Sequence, residues 1–191
     1  MAKFGFATCA SGRCQMRDLM KACEIFQSLS PALAREIVAY LRTEQKDIYR
    51  ATVATLAQQR KLRPQFVQKK TGEQQILWLL ETLRLRSSEV VGEQLLQVWL
   101  MKAQSPMLVQ FLDALGITHD GKGGVDGEIP SDFGAPMIET AVSGLLEKFP
   151  AESVAVYLHI FQLQQPGGWS AIASVLAAEP RLALGGAPVG A

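Results

Sequence analysis

A helical pattern that comes round three times constrains this chain more than any other feature in it. Ile37-Val38-Ala39-Tyr40-Leu41, Leu96-Gln97-Val98-Trp99-Leu100 and Val156-Tyr157-Leu158-His159-Ile160 align without gaps, at offsets of 59 and then 60 residues. The register holds onward through Gln45/Gln104/Gln164, Val53/Leu112/Ile172 and Leu56/Leu115/Val175, and upstream Pro31 matches Pro150. A fixed spacing of this kind is what stacked supersecondary units produce, because each unit alone leaves its apolar face in water. Part of the match comes from helical periodicity itself, since any two amphipathic helices agree at some apolar positions. The near-constant offset, the paired prolines, the three glutamines and a ring at one register (Tyr40, Trp99, His159) go beyond that shared period.

Read along the chain, the pattern predicts an all-α protein. The expected architecture is a compact array of about nine helices in three tandem three-helix units, near 16–60, 73–116 and 135–178, with a period of about 60 residues. In the first unit Leu19, Cys23 and Phe26 form one apolar stripe on a helix of about 16–28. Ser30-Pro31 reads as a helix start: the serine oxygen can cap free N–H groups and proline fits the first helical position. That helix, about 31–43, carries Leu33, Ile37, Val38 and Leu41, and a third, about 45–60, carries Ile48, Thr52, Val53 and Leu56.

The second unit opens with Ile76, Leu77, Leu80 and Leu83 on a helix of about 73–86. Ser87 or Ser88 is placed to cap the next helix, which is apolar almost all round (Val90, Val91, Leu95, Leu96, Val98, Trp99, Leu100) and so is expected to be buried on several sides. Ser105-Pro106 starts the last helix of this unit, and Gly116 stops it. The third unit has Ile138, Val142 and Leu145, then a helix from Pro150 with Val154, Tyr157, Leu158 and Phe161, then a short helix with Trp169, Ile172 and Val175. No segment alternates with period two, so no strand is predicted. Residues 1–15 carry no periodicity and read as a flexible arm, 16–180 as a single domain, and the glycine-rich 181–191 as a flexible tail.

A chain of 191 residues can bury enough surface to fold without disulfides or metal. No apolar run approaches the roughly 20 residues of a membrane span. The stretch from Met1 to Cys9 is too short and polar for a secretory signal, so the expected location is cytoplasmic, with no membrane partner. Cys9, Cys14 and Cys23 are an odd number of cysteines, which reads as free thiols. Their spacing, with no histidine nearby, lacks the close ligand pairs of a structural zinc site, so no metal and no cofactor is predicted.

The net charge of +1 conceals an asymmetry. Residues 1–70 hold 13 Lys and Arg against 5 Asp and Glu, a net of +8, while residues 71–191 hold 6 against 13, a net of −7. Such a division points to an anionic partner for the first half, or to head-to-tail self-association. The densest basic stretch runs from Arg60 to Lys70, with five cations (Arg60, Lys61, Arg63, Lys69, Lys70) around Pro64 and Phe66. Together with Arg50, these cations could neutralise phosphates while Phe66 stacks on a base. The competing reading is a solvated linker stapled to the core by Leu62, Phe66 and Val67.

The loop 118–132 is rich in glycine but lacks the phosphate-loop pattern and does not follow a strand. It is not a calcium loop either, because Val125 and Ser131 stand where glycine and glutamate are required, counting from Asp120. Asp120, Asp126, Glu128 and Asp132 could at most bind a cation weakly, and a surface linker is the simpler reading. Of the two histidines, His159 falls on a buried helix, and His119 is the only candidate general base. No nucleophile elbow is present. The chain therefore reads as a helical-repeat protein–protein interaction or scaffold module rather than an enzyme, acting on an unidentified protein partner or on itself. The alternative is a nucleic-acid-binding protein that uses its basic half.

Overall fold

The computed structural model describes residues 19–125, 133–164 and 170–185. Among them the chain forms ten α-helices and no strand. The helices are α1 (Ala22–Ser28), α2 (Pro31–Glu44), α3 (Lys46–Gln59), α4 (Pro64–Gln68), α5 (Gly72–Leu83), α6 (Glu89–Ala103), α7 (Ser105–Ala114), α8 (Ala135–Leu146), α9 (Ala151–Gln164) and α10 (Ser170–Ala178). Short 3₁₀ turns follow α5 (Arg86–Ser88) and α10 (Pro180–Leu182). None of these helices is long and apolar enough to cross a membrane.

The array is organised around α6. Helices α1, α2, α7 and α9 all pack against it, α5 lies across α2, and α8 joins α7 to α9 and α10. Trp99, Leu95 and Leu96 of α6 are enclosed together with Phe26, Ile37, Leu41 and Phe111 in one continuous core. On the α9 side Phe111, Tyr157 and Phe161 meet edge to face, with ring centroids 5.3–6.1 Å apart. That geometry sets each ring's positive edge on its neighbour's negative face.

Two glutamates join helix ends across this core. Glu89, in the first turn of α6, accepts the backbone N–H groups of Ala22 and Cys23 at 2.7 and 3.1 Å. Glu152, in the first turn of α9, accepts the Ser30 N–H at 2.5 Å and its hydroxyl at 2.7 Å, while the Ser30 oxygen accepts the Leu33 N–H. Each carboxylate thus satisfies donors at a neighbouring helix's N-terminus and also complements the dipole of its own helix. Glu152→Ala is expected to cost about 1–2 kcal/mol, read as a lower urea midpoint, with Glu152→Gln recovering part of the loss.

Several boundaries differ from the sequence expectation, each for a physical reason. The first helix starts at Ala22 instead of about 16, where the Glu89 carboxylate caps it, and Leu19 lies outside it, about one-third exposed. The helix count exceeds nine because Pro64 at its first position opens α4 inside the basic linker. Ser88 precedes α6 without capping it; its hydroxyl points back to the carbonyls of Thr82, Leu83 and Leu85 at the end of α5. Helix α6 is not buried all round, since Val90 and Met101 are exposed. Residues 181–185 do not form a loose tail, because Leu182 is buried against α9 and α10. The arm 1–15, residues 186–191, Cys9, Cys14 and Trp169 lie outside the described residues.

The three aligned registers fall on α2, α6 and α9, but they do not meet one environment. Trp99 on the central helix is fully enclosed, whereas Tyr40 and His159 are half-buried. Among the described residues helix α4 also has no counterpart between the second and third sets. The packing therefore establishes an all-α array without establishing a 60-residue period.

Candidate functional site

A cleft lined by three cations lies where α2 turns into α3. The two helices share a single linking residue, Gln45, so the end of one and the start of the other form a corner that α5 closes from the side. The cleft, about 330 Å³ in volume, is lined by Arg42 from α2, by Lys46, Tyr49, Arg50 and Val53 from α3, and by Gln68 and Gln75. Its floor is apolar: Tyr49 and Val53 are 7% and 5% exposed. Gln75 fixes the far wall by donating its amide to the carbonyls of Gln68 and Lys70 at 3.2 and 3.0 Å. The Tyr49 hydroxyl makes only a long contact, 3.4 Å, to the Gln75 oxygen. The Arg42 guanidinium lies over Gly72, in the space that a side chain there would fill.

The three cations are poorly neutralised. Asp47 approaches Arg50 at 3.7 Å, but both side chains are largely in solvent, where such a pair contributes little. Among the described residues no carboxylate pairs with Arg42 or Lys46, and Glu73 is taken up by Arg35 at 3.0 Å. Lys46 also stands at the first position of α3, whose partial positive charge repels it, and Arg50 follows one turn later with the same sign. Burial raises the Tyr49 hydroxyl above its ordinary pKa, although Arg42 opposes the shift, so the phenol stays protonated and able to donate.

Of the residues that the sequence singles out, only Arg50 lines this cleft. Lys70 lies at its edge through its carbonyl bond to Gln75, and its ammonium sits 5.0 Å from the centroid of the Phe66 ring. Phe66 is more than half exposed; this segment is stapled by Val67, which is fully buried, and by Leu62, half-buried against the core. Arg60 turns the other way, its guanidinium donating to the Thr82 hydroxyl at 3.3 Å. Thr82 is seven residues, or about 10 Å, along α5 from Gln75. Lys61 takes the left-handed conformation (φ 55°) that closes the end of α3, and Lys61, Arg63 and Lys69 are exposed. Arg42, Lys46 and Tyr49 lie outside the set that the sequence singles out. Lys46 and Arg50 are one turn apart on α3, a spacing legible in the sequence, whereas Arg42 joins them only through the corner at Gln45.

The glycine loop, described as far as Val125, is occupied with its own backbone. The Asp120 carboxylate accepts the Lys122 and Gly124 N–H groups at 2.8 and 2.9 Å, which hold it below the usual carboxylate range. His119 accepts the Gly121 N–H on Nδ1 and donates from Nε2 to Asp113 at 2.9 Å, so both ring nitrogens are engaged in the fold. Asp126, Glu128 and Asp132 lie outside the described residues. Among the described residues no three His, Cys, Asp or Glu side chains are placed to hold a metal ion together. Cys23 is buried, and burial together with the Glu89 carboxylate raises its thiol pKa and lowers its reactivity. Compared with known proteins, the chain matches no family model, no curated protein and no solved structure.

Proposed function

We propose that this protein is a helical interaction module that binds nucleic acid with the basic end built by α2–α5. The cleft carries the reading: Arg42, Lys46 and Arg50 share one concavity whose lining, among the described residues, includes no carboxylate, and Asp47 reaches Arg50 only at 3.7 Å in solvent. Cations that repel one another in the free protein are stabilised by a polyanion, which releases counterions as it binds. Phe66, exposed between Gln65 and the Lys69–Lys70 pair, offers a ring on which a base can stack, with positive charge beside it.

The test is a fluorescence-anisotropy titration with labelled single- and double-stranded oligonucleotides at low and moderate salt. Binding is expected to weaken steeply with salt, and Arg42→Glu combined with Arg50→Glu to weaken it at least about tenfold. An absence of binding by the unaltered protein at low salt would overturn the proposal. A protein partner is the second reading, favoured by the exposure of Leu77 on α5 and Val90 on α6, 42% and 67%. It predicts a partner recovered reproducibly from the native host that Val90→Asp no longer retains.

A further inference from the structure

We propose that the cleft between α2 and α3 is a site for a terminal phosphate, the dianionic group of a phosphomonoester. Two sources share this chemistry, the phosphorylated end of a nucleic-acid strand and a free nucleotide. For the first the inference rests on the nucleic-acid reading; for the second it stands alone.

Charge is the first argument. Arg42, Lys46 and Arg50 bring three positive charges to the cleft, and Asp47, nearly fully exposed, offsets them weakly. An internal phosphodiester supplies one negative charge per unit, whereas a terminal phosphate carries about −1.5 to −2 at neutral pH and three acceptor oxygens. The monoester is therefore the closer electrostatic match. Two arginines can each grip a phosphate through paired N–H donors, with Lys46 adding a point charge.

Size and lining are the second argument. A cleft of about 330 Å³ is several times larger than a bare phosphate and lies at the lower end of small-ligand sites. The cations stand on the rim, while Tyr49 and Val53 make an apolar floor on which a sugar or base can rest. Gln75 is already fixed through its amide nitrogen, so the Tyr49 hydroxyl, held only by a 3.4 Å contact, is free to turn its proton to a phosphate oxygen. An anionic head and an apolar body thus meet complementary surfaces within one cleft.

The experiment compares one oligonucleotide with a 5′-phosphate and the same strand with a 5′-hydroxyl, at fixed salt, and titrates a nucleoside monophosphate alongside. The phosphorylated strand is expected to bind about tenfold tighter, and Arg42→Gln/Lys46→Gln to reduce that preference to near unity. Lys61→Gln/Arg63→Gln, outside the cleft, is expected to keep the preference. Should the first double variant melt at a lower temperature than the unaltered protein, Arg50→Gln alone provides the same comparison.

Equal binding of the two strands with no uptake of the monophosphate overturns the inference and leaves the nucleic-acid reading standing. A preference that survives Arg42→Gln/Lys46→Gln overturns it as well, since the phosphate is then read elsewhere. Binding of the monophosphate alone, lost in that variant, supports the inference and removes the nucleic-acid reading. If neither strand nor the monophosphate binds, both fall.

Discussion

Replacing Trp99 with alanine is expected to lower the unfolding free energy by about 3–5 kcal/mol. Trp99 has no exposure to solvent and is the largest fully buried side chain of α6, the helix on which α1, α2, α7 and α9 converge. A cavity there has walls from several helices, so the surroundings can collapse into it only partly, and the uncollapsed volume adds to the lost transfer free energy. The indole nitrogen finds no hydrogen-bond partner among the described residues, so the ring acts by packing alone. Trp99→Phe separates the two contributions. It keeps most of the apolar contact and removes a buried donor whose desolvation costs about 1–3 kcal/mol. Its expected cost is therefore well below that of alanine, about 1 kcal/mol in urea or thermal unfolding. Equal losses for phenylalanine and alanine would mean that the indole nitrogen matters more than the volume.

Local devices in this chain were legible in its sequence, and devices that depend on tertiary contact were not. Ser30-Pro31 reads as a helix start because the cap and the capped N–H lie three residues apart, and the structure has the Leu33 N–H on the Ser30 oxygen. The left-handed glycine that ends the segment after α7 is of the same kind: Gly116 has φ 67°, a conformation costly for residues with a β-carbon. The start of α1 is different. Its local marker is only Glu24, which accepts the Lys21 N–H at 3.0 Å; the carboxylate that takes the Ala22 and Cys23 N–H groups is Glu89, 67 residues away from Ala22. Ser88 shows the converse error: it has the right residue type for a cap, but its hydroxyl has better acceptors in the carbonyls that end α5.

The cleft lay between these cases. Charge density draws attention to 60–70, where five cations crowd a linker. Yet that linker spreads its cations along the chain, Arg60 toward Thr82 and Lys70 onto Phe66. Lys46 and Arg50 lie one turn apart on α3, and the Gln45 corner, a tertiary turn, brings Arg42 of α2 into the same cleft. Of the three, only Lys46 and Arg50 form a stripe on one helix. Such a stripe is unfavourable for α3 itself, and positions that break a local rule are where function most often resides.

Between pH 6.5 and about 4 the protein is expected to lose about 2 kcal/mol of stability through His159 alone. Burial on α9 disfavours the charged imidazolium and moves the pKa down from 6.5 to about 4. In that interval the unfolded chain binds a proton that the folded protein does not, so stability falls as the pH falls and levels off once both states are protonated. The full difference corresponds to about 3 kcal/mol, and the part of the ring that reaches solvent reduces it to about 2 kcal/mol. The carboxylates act in a lower window. Glu179, held at about 2 by its bonds from Arg181, loses its contribution only below about 4.5, and its side chain is 27% exposed. The two effects therefore separate on a plot of urea midpoint against pH, with His159 responsible for the limb above about 4.5. His159→Leu is expected to flatten that limb and leave the lower one in place. A limb that persists unchanged in the variant would assign the acid sensitivity to another group.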